Sequence, residues 1–394
     1  MLSNRGKTII LTFVGNYLPG YKAGGILRTI SNTIDYLCDD FEFWIVTRDR
    51  DLGDDIPYSG IKINQWQSVG NAMVYYLQPQ SSGVKDILNL IVSTPHNVLY
   101  LNSFFDSFTV KVLLIRRLGW TSFKQVIVAP RGEFAWGSLG LKYPKKFAYI
   151  MLSRLLGLYA KVVWQASSEF EAQDIIKIMK INPDAVHIAL DLPNKINSDE
   201  TINVTSVPAT SCEGLRLIFL SRIAREKNLD YALRVLSKVN MKVVFDIYGP
   251  VVDAAYWKEC CTLIRQLPVN VTVNYHDGVS SIDVVHIFSR YDLFLFPTAG
   301  ENYGHVIAES LAAGTPVLIS TETPWRNLQA DGLGWDIDLI KIDSFVKVIR
   351  GFALLSYNER LKRRAIIKSK IMERLLDPSV IKANRQLFKR RLLC

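Results

Sequence analysis

Two doubly wound α/β domains in tandem are what the sequence predicts, on three observations. Short, nearly continuous apolar runs alternate with amphipathic stretches of helix length along most of the chain. The alternation is interrupted by a polar stretch at 191–214 that carries Pro193 and Pro208 and has no sustained period. The length of 394 residues also exceeds what a single core of roughly 250–300 residues sustains.

In the first domain, 1–190, TIILTFV (8–14), EFWIVT (42–47), NVLYL (97–101), QVIVAP (125–130) and KVVWQ (161–165) read as parallel strands buried on both faces. Helical patterns lie near 25–37, 105–118, 145–159 and 168–180. After the linker at 191–214 a second domain, 215–379, opens with LRLIFL (215–220). It continues through KVVFDIYG (242–249), VTVNY (271–275), DLFLFP (292–297) and PVLIS (316–320). Its helices are expected near 228–238, 254–266, 280–289, 304–313 and 342–354. The stretch 357–392 is basic and helix-compatible, and Pro378 breaks it. Ligands of such sheets bind at the carboxyl ends of the strands, so the loops after the strands carry the candidate chemistry.

Composition narrows the function classes. No apolar run reaches the roughly 18 residues of a membrane-spanning helix, and MLSNRGKTIILTFVG lacks the cleavage site of a secretory signal. A cytoplasmic protein is therefore expected. The five cysteines have neither CxxC spacing nor a regular framework, which argues against structural zinc. The net charge of +10 is concentrated at one end. Residues 351–394 hold 12 Lys and Arg against 3 Asp and Glu, while the rest of the chain holds 35 against 34. Such a tail fits a solvated helix or an anionic membrane face, and a nucleic-acid partner is not expected.

The sharpest motif follows DLFLFP. In TAGENYGHVIAESLAAG, Glu301 and Glu309 stand eight residues apart across an expected helix start. Gly300, Asn302 and Gly304 lie where strand turns into helix, and the first-turn N–H groups there make an anion site. Arg222 and Lys227, in SRIAREKN after the first strand of the second domain, are placed to neutralise a diphosphate leaving group. Gly24 and Gly25 open a helix after the first strand and allow close backbone approach to a phosphate or sugar. NSFFD and APRGEFAW follow two further strands and bring Asn102, Asp106, Arg131 and Glu133 to the rim of the first domain.

These residues carry a family resemblance. GENYGHVIAESLAAGTPVLIS resembles the EX7E signature of the retaining glycosyltransferases of family 4, whose two-domain fold is GT-B, and the resemblance extends over nearly the whole chain. It implies that Arg222 and Lys227 contact the donor diphosphate, that Glu301 faces the transferred sugar and that Glu309 holds the nucleotide ribose. It further implies that Asn302, Tyr303, Gly304 and His305 meet the sugar and phosphates, and that Gly24 and Gly25 face the donor phosphates. Gly249, in YGP, and His276 and Asp277, in HDG, would lie beside the base, with APRG lining the acceptor side. The helix 380–394 would return to the amino-terminal domain. Arg131 stands where several members have a histidine, and HIALDLP (187–193) lacks the family's usual hinge asparagine, so His187 receives no role.

The reaction so implied moves a hexose-type sugar from a nucleotide diphosphate sugar, UDP favoured over GDP, to a saccharide acceptor, lipid-linked in surface-glycan assembly. Neither metal nor cofactor is expected. The DxD-like runs Asp49–Asp51 and Asp336–Asp338 lack a second cluster of hard ligands, and Arg222 and Lys227 already supply positive charge. Front-face attack and double displacement through Glu301 both stay open, as do a nucleotide-sugar isomerase and a non-catalytic nucleotide-sugar binder. LKYPKKFAYIMLSRLLGLYAKVVW (141–164) reads as a basic amphipathic helix of the kind that lies on anionic membranes, a peripheral contact with the inner face of the plasma membrane.

Overall fold

The computed structural model describes residues 6–121, 125–140, 143–195, 214–280 and 283–389. The chain divides into unit 1, residues 1–195 with 378–394, and unit 2, residues 196–377.

In unit 1, β1 (Thr8–Phe13), α1 (Gly25–Leu37), β2 (Phe41–Arg48), β3 (Trp66–Val69), β4 (Ala72–Leu77), α2 (Val84–Ser93), β5 (Val98–Asn102) and α3 (Ser107–Arg117) follow one another. Then come β6 (Val126–Ala129), α4 (Trp136–Gly140), α5 (Tyr143–Leu155), β7 (Val163–Ala166), α6 (Glu169–Met179) and β8 (Val186–Ile188). The sheet runs β3-β4-β2-β1-β5-β6-β7-β8. Every pairing is parallel except β3 with β4. Apolar clusters cover both faces, one around Phe104, Phe134 and Trp164 and the other around Phe41, Tyr76 and Tyr100. That is why the strands read as continuous apolar runs.

Unit 2 comprises β9 (Leu215–Leu220), α7 (Leu229–Leu236), β10 (Val243–Tyr248), α8 (Ala254–Arg265), β11 (Val271–His276), α9 (Val284–Phe288) and β12 (Leu293–Phe296). It continues with α10 (His305–Ala312), β13 (Val317–Ser320), α11 (Leu328–Asp331), β14 (Gly334–Ile337), α12 (Ile342–Ala353) and α13 (Tyr357–Leu375). Its six parallel strands are ordered β11-β10-β9-β12-β13-β14. The order reverses between β9 and β12, which opens a crevice at their carboxyl ends. The last helix, α14 (Pro378–Lys389), belongs to unit 1, and Pro378 is its first residue.

Three differences from the sequence reading have physical reasons. The strands β3, β4, β8 and β14 and the helix α2 were not expected. β3 and β4 form a hairpin whose Val69 pairs with Ala72 across a Gly-Asn turn, and the four residues of β3 are too mixed in polarity to read as buried. The linker begins later than residue 191. Asp191 and Leu192 are buried in unit 1, where Thr29 Oγ1 donates to Asp191 at 2.8 Å and Asn32 Nδ2 to the Leu192 carbonyl at 2.8 Å. The rest of that stretch, from 196, lies outside the described residues up to 213. The basic tail is two helices, and the second begins at 378 rather than 380.

Candidate active site

The loops after β9 and β12 flank the crevice of unit 2, and both carry residues that the sequence singles out. After β9 the chain passes Arg222, makes a single 3-10 turn at Arg225–Lys227 and enters α7 through Asn228 in the left-handed conformation. Asn228 Nδ2 donates to the Pro297 carbonyl at 2.9 Å, tying this loop to the one after β12. The Ala299 N–H and Thr298 Oγ1 both donate to the Glu226 carbonyl, at 2.8 and 2.9 Å. Ser320 Oγ, at the end of β13, donates to the Thr298 carbonyl at 2.5 Å.

This stitching brings Lys227 and Glu301 together, although 74 residues separate them. The Lys227 ammonium donates to Glu301 Oε1 at 2.7 Å and lies 3.5 Å from the Gly300 carbonyl. Both side chains are mostly buried, at 11% and 16% exposure, so the pair is screened little by solvent. An ammonium has three N–H donors and therefore keeps a further one to offer. Arg222 is the more exposed cation and is only loosely held, 3.5 Å from Glu226.

Gly304 starts α10 with φ 81°, and a Cβ there would stand 2.9 Å from Ile307 Cδ1. Glycine thus sets the tight strand-to-helix turn. Trp325 Nε1 holds the turn from behind by donating to the Tyr303 carbonyl at 2.6 Å. Glu309 and His305 are buried on α10, and the Tyr303 and His305 rings lie 4.8 Å apart. Asn302 Oδ1 is buried without a hydrogen-bond partner among the described residues. A buried acceptor in that state costs free energy until a donor reaches it.

At the neighbouring strand ends, the His276 ring stacks on Tyr248 at 4.3 Å, and Asp277 Oδ1 accepts from the Gly278 N–H at 2.7 Å. Gly249 has a packing role: a Cβ would lie 1.9 Å from the Ser221 carbonyl, so only glycine lets the loops after β9 and β10 touch. Beneath them Asp246 accepts from Asn274 Nδ2 at 2.7 Å and from the Tyr291 hydroxyl at 2.5 Å.

In unit 1 the four rim candidates make bonds within the unit, although the buried Asn102 Nδ2 has no hydrogen-bond partner among the described residues. Arg131 is buried, and its guanidinium bonds Asp191 at 2.8 Å, Asn102 Oδ1 at 2.8 and 3.0 Å, and the Tyr100 hydroxyl. Every nitrogen of its fork is engaged inside unit 1. Asn102 is buried with it. Asp106 caps α3, accepting from the Phe108 N–H at 2.8 Å, and pairs with Arg48 at 2.7 Å. Glu133 accepts from Ser103 Oγ at 2.6 Å and from the N–H groups of Phe104 and Phe105 at 2.5 and 3.2 Å. Gly24 adopts φ 71° as the N-cap of α1, whose first residue is Gly25. His187 Nε2 lies 3.0 Å from the Ala383 carbonyl of α14.

The aspartate runs likewise have local work. Asp51 accepts from the N–H groups of Tyr21 and Lys22, Asp49 pairs with Arg50, and Asp336 accepts from the N–H groups of Asn327 and Leu328. Sequence reasoning missed Asn228, Thr298, Ser320 and Trp325. Asn228 had a readable signal, since asparagine is enriched in the left-handed region; Trp325 had none.

Residues 211–368 match the family model described as "Glycosyl transferases group 1". An uncharacterized 41.2 kDa protein of the cps region of Klebsiella pneumoniae is 23% identical over 279 residues, covering 70% of this chain and 74% of that one. An uncharacterized glycosyltransferase of Methanocaldococcus jannaschii is 28% identical over 155 residues, 38% of this chain and 37% of that one. Among solved structures, Anabaena HepE in complex with UDP and glucose superposes with a TM-score of 0.68 at 13% identity, covering 97% of this chain and 98% of that one. WaaG, a glycosyltransferase involved in lipopolysaccharide biosynthesis, gives 0.66 at 14%, covering 96% and 99%. At such identities the likeness shows the fold, which is GT-B.

Proposed function

We propose that this chain is a glycosyltransferase of group 1, the family whose model matches residues 211–368, and that it is a retaining, metal-independent hexosyltransferase that takes its sugar from a nucleotide diphosphate donor, UDP rather than GDP. The acceptor in this reading is a lipid-linked saccharide of surface-glycan assembly. The cps-region and lipopolysaccharide contexts of two similar proteins support that setting.

The observation that carries the reading is the Lys227–Glu301 pair at the β9/β12 crevice, beside the start of α10. A diphosphate leaving there gains negative charge. The spare N–H of Lys227, the Arg222 guanidinium and the first-turn N–H groups of α10 stabilise it without a divalent ion. Glu301, fixed by Lys227, accepts from hydroxyls of the sugar, and the unpartnered Asn302 Oδ1 is a second acceptor for them. Glu309, further along α10, takes the ribose hydroxyls. The leaving phosphate oxygen then receives the proton of the incoming acceptor hydroxyl on the same face, so the anomeric configuration is retained.

Steady-state transfer assays test this. Lys227→Ala should lower turnover by about 10²–10³, the scale for losing one charge-stabilising group, with EDTA changing little. Glu301→Gln should impair transfer while leaving free UDP affinity near wild type, whereas Glu309→Gln should weaken UDP itself. Activity abolished by EDTA and restored by manganese, or an inverted product, would overturn the proposal.

A further inference from the structure

Two adjoining segments of unit 1 present an apolar and cationic surface. On α5 and the turn after it, Met151, Leu152, Leu155 and Leu156 are exposed, Leu155 to 84%. At the end of α3, Leu118 and Trp120 are exposed too, Trp120 to 52%. The two segments adjoin, since Arg117 Nε donates to the Leu156 carbonyl at 2.8 Å and Arg116 to that of Ala160 at 2.6 Å. Residues 107–121 and 143–161 together hold seven Lys and Arg and no Asp or Glu. Clustered large apolar side chains on a surface mark an interaction site.

The charge decides which partner fits. Two copies packed through this face about a two-fold axis would set cations against cations, which is unfavourable. An anionic bilayer offers apolar depth for the leucines and negative head groups for Lys145, Arg154 and Lys161. In the other basic helix, α14, the apolar Leu387 and Phe388 are buried in unit 1. We propose that α5 and the end of α3 form a docking surface for an anionic lipid bilayer. The proposed lipid-linked acceptor supplies only the biological setting of this surface.

The test is partition of the full chain onto vesicles of phosphatidylcholine with and without phosphatidylglycerol. The wild type should bind the anionic vesicles, less as salt rises. The triple variant Met151→Gln, Leu152→Gln, Leu155→Gln should partition at least about tenfold less with an unchanged melting temperature, because these side chains are already exposed. Lys145→Gln, Arg154→Gln, Lys161→Gln should remove the preference for phosphatidylglycerol. Wild-type partition equalled by the apolar triple variant would overturn the proposal. So would a wild-type dimer that this variant dissolves while vesicle binding is absent. The measurement needs no sugar donor, so a chain that binds vesicles but transfers nothing sinks the transfer reading and leaves the docking surface standing.

Discussion

Glu133 shows how a position can be legible while its work is not. It follows a strand in a loop, which is why the sequence places it at a ligand rim, yet its carboxylate accepts from the Ser103 hydroxyl and from the backbone N–H groups of Phe104 and Phe105. Burial pushes its carboxyl up to about 7, while the bonds from Ser103, Phe104 and Phe105 and the nearby Lys146 pull the other way. Tyr149 and Tyr159 are the other titratable groups facing it. A folded value above the ordinary 4.5 means that stability is fully present below about pH 4.5 and is lost as pH rises through 7. Glu133→Gln keeps the shape and carries no charge, with its amide able to donate to Ser103 Oγ as a protonated carboxyl would. Between about pH 5 and pH 8 the wild-type melting temperature should therefore fall relative to that of the variant. A constant difference across that range would show that the carboxyl ionises without cost. Arg131 teaches the same lesson from the other side, because its partners come from two separate stretches, Tyr100 and Asn102 in β5 and Asp191 after β8, whose convergence no local pattern reveals.

At the scale of elements, the long strands were legible because burial on both faces leaves an unmistakable apolar run, as in LRLIFL and TIILTF. The short edge strands β3 and β14 have only four residues each and mix polar with apolar side chains, so their pairing exists only in the sheet. The last helix was legible as basic and amphipathic, and the structure shows what its apolar side meets. The Phe388 ring packs edge-on to Phe41, Phe43 and Tyr100 at 5.5, 5.9 and 5.2 Å. Asn384 Nδ2 reaches the Leu190 carbonyl at 2.8 Å, and Arg385 pairs with Asp40 at 2.7 Å. A buried phenylalanine truncated to alanine costs about 3–5 kcal/mol. Phe388→Ala should thus lower the calorimetric transition of unit 1 by several degrees, far more than neutralising the exposed Lys389. An unchanged melting temperature would mean that α14 contributes no stability to unit 1.

Across the whole molecule, the two units are built around separate cores, one in unit 2 and two flanking the sheet of unit 1. The crevice in unit 2 lies at the strand-order reversal between β9 and β12, and the residues gathered there come from loops rather than from the cores. A ligand that binds only the folded form stabilises it by RT ln(1 + [L]/Kd), about 2.7 kcal/mol at a hundredfold excess over Kd. If free UDP is held by unit 2, that stabilisation belongs first to unit 2. Hydrogen exchange on the full chain should then show UDP slowing the amides of 221–228 and 300–309, with β9 and β12 following as global opening becomes rarer. The strands β2 and β4 of unit 1 should exchange at their unliganded rates unless the two units unfold as one. Lys227→Ala should reduce the protection at the 300–309 amides more than elsewhere, because it removes the cation that fixes Glu301. Protection confined to unit 1, or an unchanged pattern at saturating UDP, would remove the nucleotide from the β9/β12 crevice and with it the assignment of Arg222, Lys227 and Glu301 to the donor.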